Sequence, residues 1–243
     1  MKQSLFITIL IVVAFAISYT IYEFFLPPFI RDGGPLVIGL LVLTIMVATF
    51  IVERLFSLRK AQGRGSLTTF LRAVQHEINQ SNVDAAIALC DTQRGSLANV
   101  LRTGLDRYRF LKNSGDTRAQ KEVMEDVQHA IEEAMMLEVP LLEKNLVAIS
   151  TIASISTMVG LLGTVIGMIR AFAALANAGA PDAVQLSIGI SEALINTAGG
   201  LIAAIAAIIA YNFFVTKVDN FTYMIDEASY SIVQSLAYRQ THQ

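Results

Sequence analysis

The chain has 243 residues, of which 54% are hydrophobic and only 16% charged, against roughly a quarter charged in an ordinary soluble domain. The deficit is concentrated in long apolar runs, which mark spanning helices rather than a large soluble core. A formal net charge of -2 argues against nucleic acid, which calls for a basic patch, and a single cysteine, Cys90, excludes an internal disulfide and any multi-cysteine metal site.

The first apolar run, Leu5 to Phe25, is long enough to cross a hydrocarbon core as a helix and is ended by Pro27 and Pro28. Lys2 and the small-residue sequence Ala14-Phe15-Ala16 also suit a signal peptide, but the run continues through Ile17 to Leu26. It is read as a retained, extra N-terminal span within residues 1–30. The second run, Leu36 to Val52, is opened by Gly33-Gly34-Pro35 and closed by Glu53-Arg54, giving a span at 34–53.

Residues 54–145 read as a helical domain with polar breaks. Gly63-Arg64-Gly65-Ser66 precedes a helix from Leu67, while Asn79 to Asn82 and Asp91 to Gly95 are turn-like. Val83 to Leu89 is a short amphipathic piece. Lys112-Asn113-Ser114-Gly115-Asp116 is a loop before a long helical pattern of Val123, Val127, Ile131, Ala134, Met135 and Leu142. Pro140 predicts a bend or junction there. Gly63-Arg64-Gly65 lacks the further glycine and preceding strand of a nucleotide-binding loop. His76, His129 and His242 lie too far apart for a zinc site. No cofactor or metal is expected.

Two further spans follow, at 146–176 and 183–216, and a cytoplasmic C-terminal helix at 217–243. A thirty-residue helix is about 45 Å long, so these helices project beyond a core of about 30 Å. The stretch from Glu53 to Asn145 holds thirteen of the Lys and Arg residues, from Arg54 through Arg118 to Lys144, whereas the short loop Asn177 to Asp182 holds none. Positive residues favour the cytoplasm, which puts both termini and the central domain inside.

The last two spans carry the informative pattern. Gly160, Thr164, Gly167 and Ala171 form one face of small residues, with Gly163 beside it. Gly189, Ala193, Asn196, Gly200, Ala203 and Ala207 form another, widened by Thr197, Gly199 and Ala204. Such faces let helices approach closely. Because the spans are antiparallel, Thr164 and Thr197 fall at nearly one depth. A lone threonine can satisfy its hydroxyl on its own helix; two at matched depth, with Asn196 alongside, point to a polar lane. Glu192 is a carboxylate inside a span, where such groups face a bundle interior, water or a partner charge. It lies about 140° around the helix from Thr197. Arg170 is close to it in depth. Proton-linked use and a structural ion pair with Arg170 both remain open at this point.

These residues resemble the ExbB/TolQ/MotA proton-channel family. The third span reads Gly160-Leu161-Leu162-Gly163-Thr164-Val165-Ile166-Gly167, and the fourth Gly189-Ile190-Ser191-Glu192-Ala193-Leu194-Ile195-Asn196-Thr197-Ala198-Gly199-Gly200-Leu201. Both blocks are most similar to ExbB. The resemblance implies an all-α polytopic membrane protein of the bacterial inner membrane, with long cytoplasmic helices, assembled as a homo-pentameric ring in lipid around a central pore. It implies a dimer of ExbD-like single-span proteins in that pore and a TonB-like protein beyond. Thr164 and Thr197, with Asn196, would line the proton pathway, and Glu192 would be the membrane carboxylate. The family's prolines are replaced here by Thr157-Met158-Val159 and by Ala206, which favours straighter helices. The extra first span is not part of the three-span ExbB pattern. A TolQ-like or MotA-like stator and a non-conducting scaffold for partner helices are the alternatives. A transporter would need internal repeats, and no nucleophile, base and metal cluster suggests an enzyme.

Overall fold

The computed structural model describes residues 2–114, 120–177 and 183–240. The loop expected before Asp182, the positions Gly115, Asp116 and Arg118, and His242 lie outside the described residues. No strand occurs among the described residues; the fold is all-α. The helices are α1 (Lys2–Phe24), α2 (Pro28–Arg31), α3 (Leu36–Gln62), α4 (Leu67–Asn79), α5 (Val83–Gln93), α6 (Ser96–Asn113), α7 (Gln120–Glu143), α8 (Leu146–Asn177) and α9 (Ala183–Gln240). Three described segments, in α3, in the stretch that includes α8, and in α9, are long and apolar enough to cross a membrane. The described side chains of α1 form a shorter apolar helix, Thr8–Phe24.

The chain divides into two compact units. One takes the chain up to Glu53 together with Asn145–Phe214; the other takes Arg54–Lys144 and the chain from Val215 onward. Where α8 and α9 meet, the first unit reverses the usual order of sizes, although Leu40, Val47 and Phe50 of α3 and Ile149 and Ile152 of α8 are also buried. Its interior holds Gly160, Gly163, Gly167, Ala171, Ala193, Ala203 and Ala207, whereas Leu161, Val165, Ile169, Phe172, Leu194, Ile202 and Ile209 are exposed. In lipid no hydrophobic force separates large apolar side chains from their surroundings, so close backbone packing decides what faces inward. Helix α1 follows the same rule, with Ala14 and Ser18 buried and Val12, Phe15 and Phe24 exposed.

The second unit packs as a water-soluble bundle does. Phe70, Val74 and Ile78 of α4, Ile87 and Cys90 of α5, Leu97, Leu101 and Leu105 of α6, and Val127 and Ile131 of α7 are buried. Each set recurs at helical spacing. The α6–α7 packing needs Gly104, since a Cβ there would lie 2.5 Å from Ile131. Val218, Phe221, Ile225, Ile232 and Leu236 supply the buried face of α9 in this unit.

Two boundaries differ from the expectation. The fourth span and the C-terminal helix form one unbroken helix of 58 residues. Pro140 lies inside α7, and the chain turns later, at Asn145, whose φ is +64. Asn145 donates to Glu53 Oε2 at 3.1 Å, which fixes the turn to the end of the apolar part of α3.

Candidate functional site

Helices α8 and α9 meet through their small faces in a continuous antiparallel register. Cβ atoms built on Gly200, Gly167 and Gly189 would come within 2.6 Å of Ser156 O, 2.7 Å of Gly189 O and 2.8 Å of the Ala171 Cβ. Gly163 lies directly against the Asn196 side chain. Gly199 is turned elsewhere, towards Leu40 of α3. This register puts Thr164 and Thr197 within a turn of the same level.

The two hydroxyls are satisfied differently. Thr164 Oγ1 donates to Leu161 O of its own helix at 2.6 Å. Thr197 Oγ1 donates across the seam to Gly160 O at 3.3 Å. Both residues are half-buried. Ser156, one turn before Gly160, is fully buried, and its hydroxyl has no partner among the described residues.

Asn196 is enclosed within the subunit rather than shared with its surface. Its Nδ2 donates to Gly33 O at 2.7 Å and to Glu192 O at 3.0 Å, while its buried Oδ1 has no partner among the described residues. The amide thus ties the turn before α3 to the fourth turn of α9.

Glu192 lies one turn from Asn196 and is also buried. Arg170 Nη1 donates to Glu192 Oε1 in an ion pair; the arginine side chain is 55% exposed and the glutamate 7%. Gly34 covers the carboxylate. Its φ is +73, and a Cβ would lie 2.7 Å from Glu192 Oε1. Only glycine takes that conformation freely while its backbone presses on a side chain. Gly33 is packed equally closely, against Val37 and Ile195.

The structure therefore brings Arg170, Glu192, Asn196, Gly33 and Gly34 into one cluster, while Thr164 and Thr197 bond separate carbonyls of α8, those of Leu161 and Gly160. From the sequence, Gly33-Gly34-Pro35 reads only as the opening of a span. Two adjacent glycines at a helix start, at the depth of an intramembrane acid, were the available signal. Ser156 gave no signal beyond its place on the small face.

Comparison with known proteins meets this seam. Residues 92–227, more than half of the chain, match the MotA/TolQ/ExbB proton channel family. The chain is 27% identical over 206 residues to the biopolymer transport protein ExbB of Pseudomonas putida, covering 85% of this chain and 60% of that protein. It is 31% identical over 188 residues to the Tol-Pal system protein TolQ of Pseudomonas aeruginosa, covering 75% of this chain and 80% of that one. To TolQ of Haemophilus influenzae it is 42% identical over 94 residues, 39% of this chain and 41% of that protein. It thus spans less than two thirds of the length of the first and the last of these relatives. Three apolar helices and these bacterial relatives describe a bacterial membrane protein, in a family of channels rather than of enzymes. The chain belongs to the MotA/TolQ/ExbB proton channel family.

Proposed function

We propose that this chain is the ring-forming subunit of an inner-membrane proton channel that converts the proton motive force into movement of a partner protein. Five copies surround a dimer of ExbD-like single-span helices, with both termini in the cytoplasm and α1 as an additional span. A TonB-like protein receives the motion and energises transport at the outer membrane. The observation that carries this reading is the placement of Thr164 and Thr197 within one turn of each other's level on a seam of small residues within the family match. Two hydroxyls about one turn apart in depth offer both donors and acceptors to a proton relay. The exposed apolar surfaces of α8 and α9 suit neighbouring copies, partner helices and lipid.

Arg170, Glu192 and Asn196 take a supporting role in this proposal. They hold the turn before α3 against α9 and keep the seam in register, so that Asn196 acts on the pathway from inside the subunit.

A second reading, a TolQ-like subunit of a Tol-Pal system, is supported by the 31% identity to TolQ of Pseudomonas aeruginosa over 75% of this chain and 80% of that one. Expressing the chain, with its own partner, in strains lacking either ExbB or TolQ separates the two by which defect is repaired. In the repaired strain, Thr164→Val with Thr197→Val is expected to abolish coupling while the purified assembly keeps its size. Valine preserves the shape of threonine and removes only the hydroxyl. Normal coupling in this double variant would remove the two threonines from the pathway. A non-conducting scaffold would show no proton flux in liposomes with the partner present.

A further inference from the structure

The second unit contains a cavity of about 540 Å³ bounded by the end of α3, the α5–α6 turn and the end of α7. Its lining includes Lys60, Arg64 and Arg94 and one acid, Glu138. Glu138 Oε1 already accepts from Asn99 Nδ2 at 2.8 Å. Among the described residues no ion pair or side-chain hydrogen bond reaches Lys60, Arg64 or Arg94. Three cations share this space with one carboxylate, which leaves a net positive charge and mutual repulsion among the cations.

The backbone holds them there. Arg64 N–H donates to Gln93 O at 2.8 Å, and Gln93 Nε2 donates to Gln62 O at 3.3 Å. Gly63 and Gly95 have φ of +77 and +105, and a Cβ on Gly95 would lie 2.5 Å from Ala61 O. These ties set Arg64 and Arg94 side by side. The same turn opens α6, an 18-residue helix whose N-cap, Gly95, supplies no side chain to its first amides. The first bond at that end is Asn99 N–H to Gly95 O, so the amides of the opening turn lie outside the intrahelical ladder. Guanidinium forks and helix-end amides are the donors that phosphate oxygens prefer.

We propose that this cavity binds a phosphate-bearing anion, the headgroup phosphodiester of an acidic membrane lipid. Its position along the chain suits that source. Ser57 and Lys60 lie four and seven residues beyond Glu53 on α3, about 6 and 10 Å past the end of the apolar stretch. Ser57 falls within the headgroup layer, and Lys60 lies just beyond it, where a long side chain can extend back to the phosphates. Leu141 and Leu142 also line the cavity, and Leu137 and Leu141 are exposed, so apolar surface for acyl chains adjoins the cations. The same oxygens could come from free phosphate, which shares the chemistry but has no chain to place on that surface.

The test uses the full chain in nanodiscs of phosphatidylcholine containing a minor fraction of phosphatidylglycerol, with retained lipid counted by native mass spectrometry. Wild type is expected to retain phosphatidylglycerol at least fivefold above its bulk share. Arg64→Gln with Arg94→Gln, and separately Lys60→Gln, should bring retention down to the bulk share. Arg59→Gln with Arg72→Gln removes equal charge away from the cavity and should leave retention unchanged. If phosphatidylglycerol shows no enrichment but inorganic phosphate raises the melting temperature of wild type and not of the Arg64/Arg94 variant, the site is an anion site fed from solution and the lipid assignment is overturned. Equal loss in the control variant, or no response to either probe, overturns the site itself. The Lys60→Gln variant, on an exposed helix position, keeps the test decisive should the double variant fail to fold.

Discussion

Glu192 illustrates how a membrane interior handles a carboxylate. It is shielded by Gly34 above, held by Arg170 on one side, and followed one turn later by Asn196, which bonds its main-chain carbonyl. Removing one member of a charge pair is worse than removing both, because the survivor keeps its desolvation cost without compensation. Arg170→Leu is therefore expected to lower the stability of the detergent-solubilised protein more than Glu192→Gln does. The loss should not exceed about 3 kcal/mol, the lower end for a fully buried pair, since Arg170 is 55% exposed. Glu192→Gln keeps an oxygen for the guanidinium, so it should preserve assembly and weaken coupling. Combining the two changes should recover part of the loss seen with Arg170→Leu. Thermal inactivation followed by gel filtration measures all three; an Arg170→Leu protein as stable as wild type would show that the pair contributes nothing.

At the scale of elements, the α8–α9 seam depends on backbone approach, and neighbouring glycines separate its contributions. A Cβ on Gly200 would meet Ser156 O at 2.6 Å and Gly160 Cα at 2.8 Å, which are main-chain atoms that cannot step aside. A Cβ on Gly199 would meet only a Leu40 methyl at 3.2 Å, which a small rotation relieves. Gly200→Ala is expected to destabilise the protein by about 1–3 kcal/mol, the usual cost of overpacking, and Gly199→Ala by well under 1 kcal/mol. A melting comparison of the two variants decides it, and equal shifts would mean that the seam is not the tightest contact. The absence of proline at Thr157, Met158, Val159 and Ala206 agrees with helices that run unbroken through these positions. Pro140 is accommodated within α7, and the turn falls instead at Asn145, where the side chain can bond Glu53.

The whole molecule combines two solvents' rules in one chain. Along the α8–α9 contact small residues face inward, whereas in the unit of α4 to α7 the core is Leu, Ile, Val and Phe. Cys90 belongs to that second core. Burial, with the neighbouring Asp91 charge, pushes its thiol from 9.0 up to about 12. The folded thiol therefore keeps its proton where the unfolded one begins to lose it. Its contribution to stability is complete below about pH 9 and declines as pH rises from there towards 12. Cys90 is expected to resist maleimide at pH 7.5 in the folded protein and to react once urea opens the unit. Rapid labelling of the native protein would show that this core opens readily.

What could be read from the sequence was local. The starts of α3, α4, α8 and α9 and the small faces of the last two spans follow from apolar runs, breakers and spacing within one segment. An antiparallel hairpin also limits how far apart in depth Thr164 and Thr197 can lie; the register of the seam sets Thr197 against Gly160, one turn from Thr164. The family was legible in the same two blocks. The turn of Gly33 and Gly34 over Glu192, the enclosure of Asn196 and the gathering of Lys60, Arg64 and Arg94 were decided only by tertiary structure. Gly33 and Asn196 are 163 residues apart, and hydropathy, which sums over neighbours in the chain, carries no information about which distant backbone oxygen will complete a buried amide.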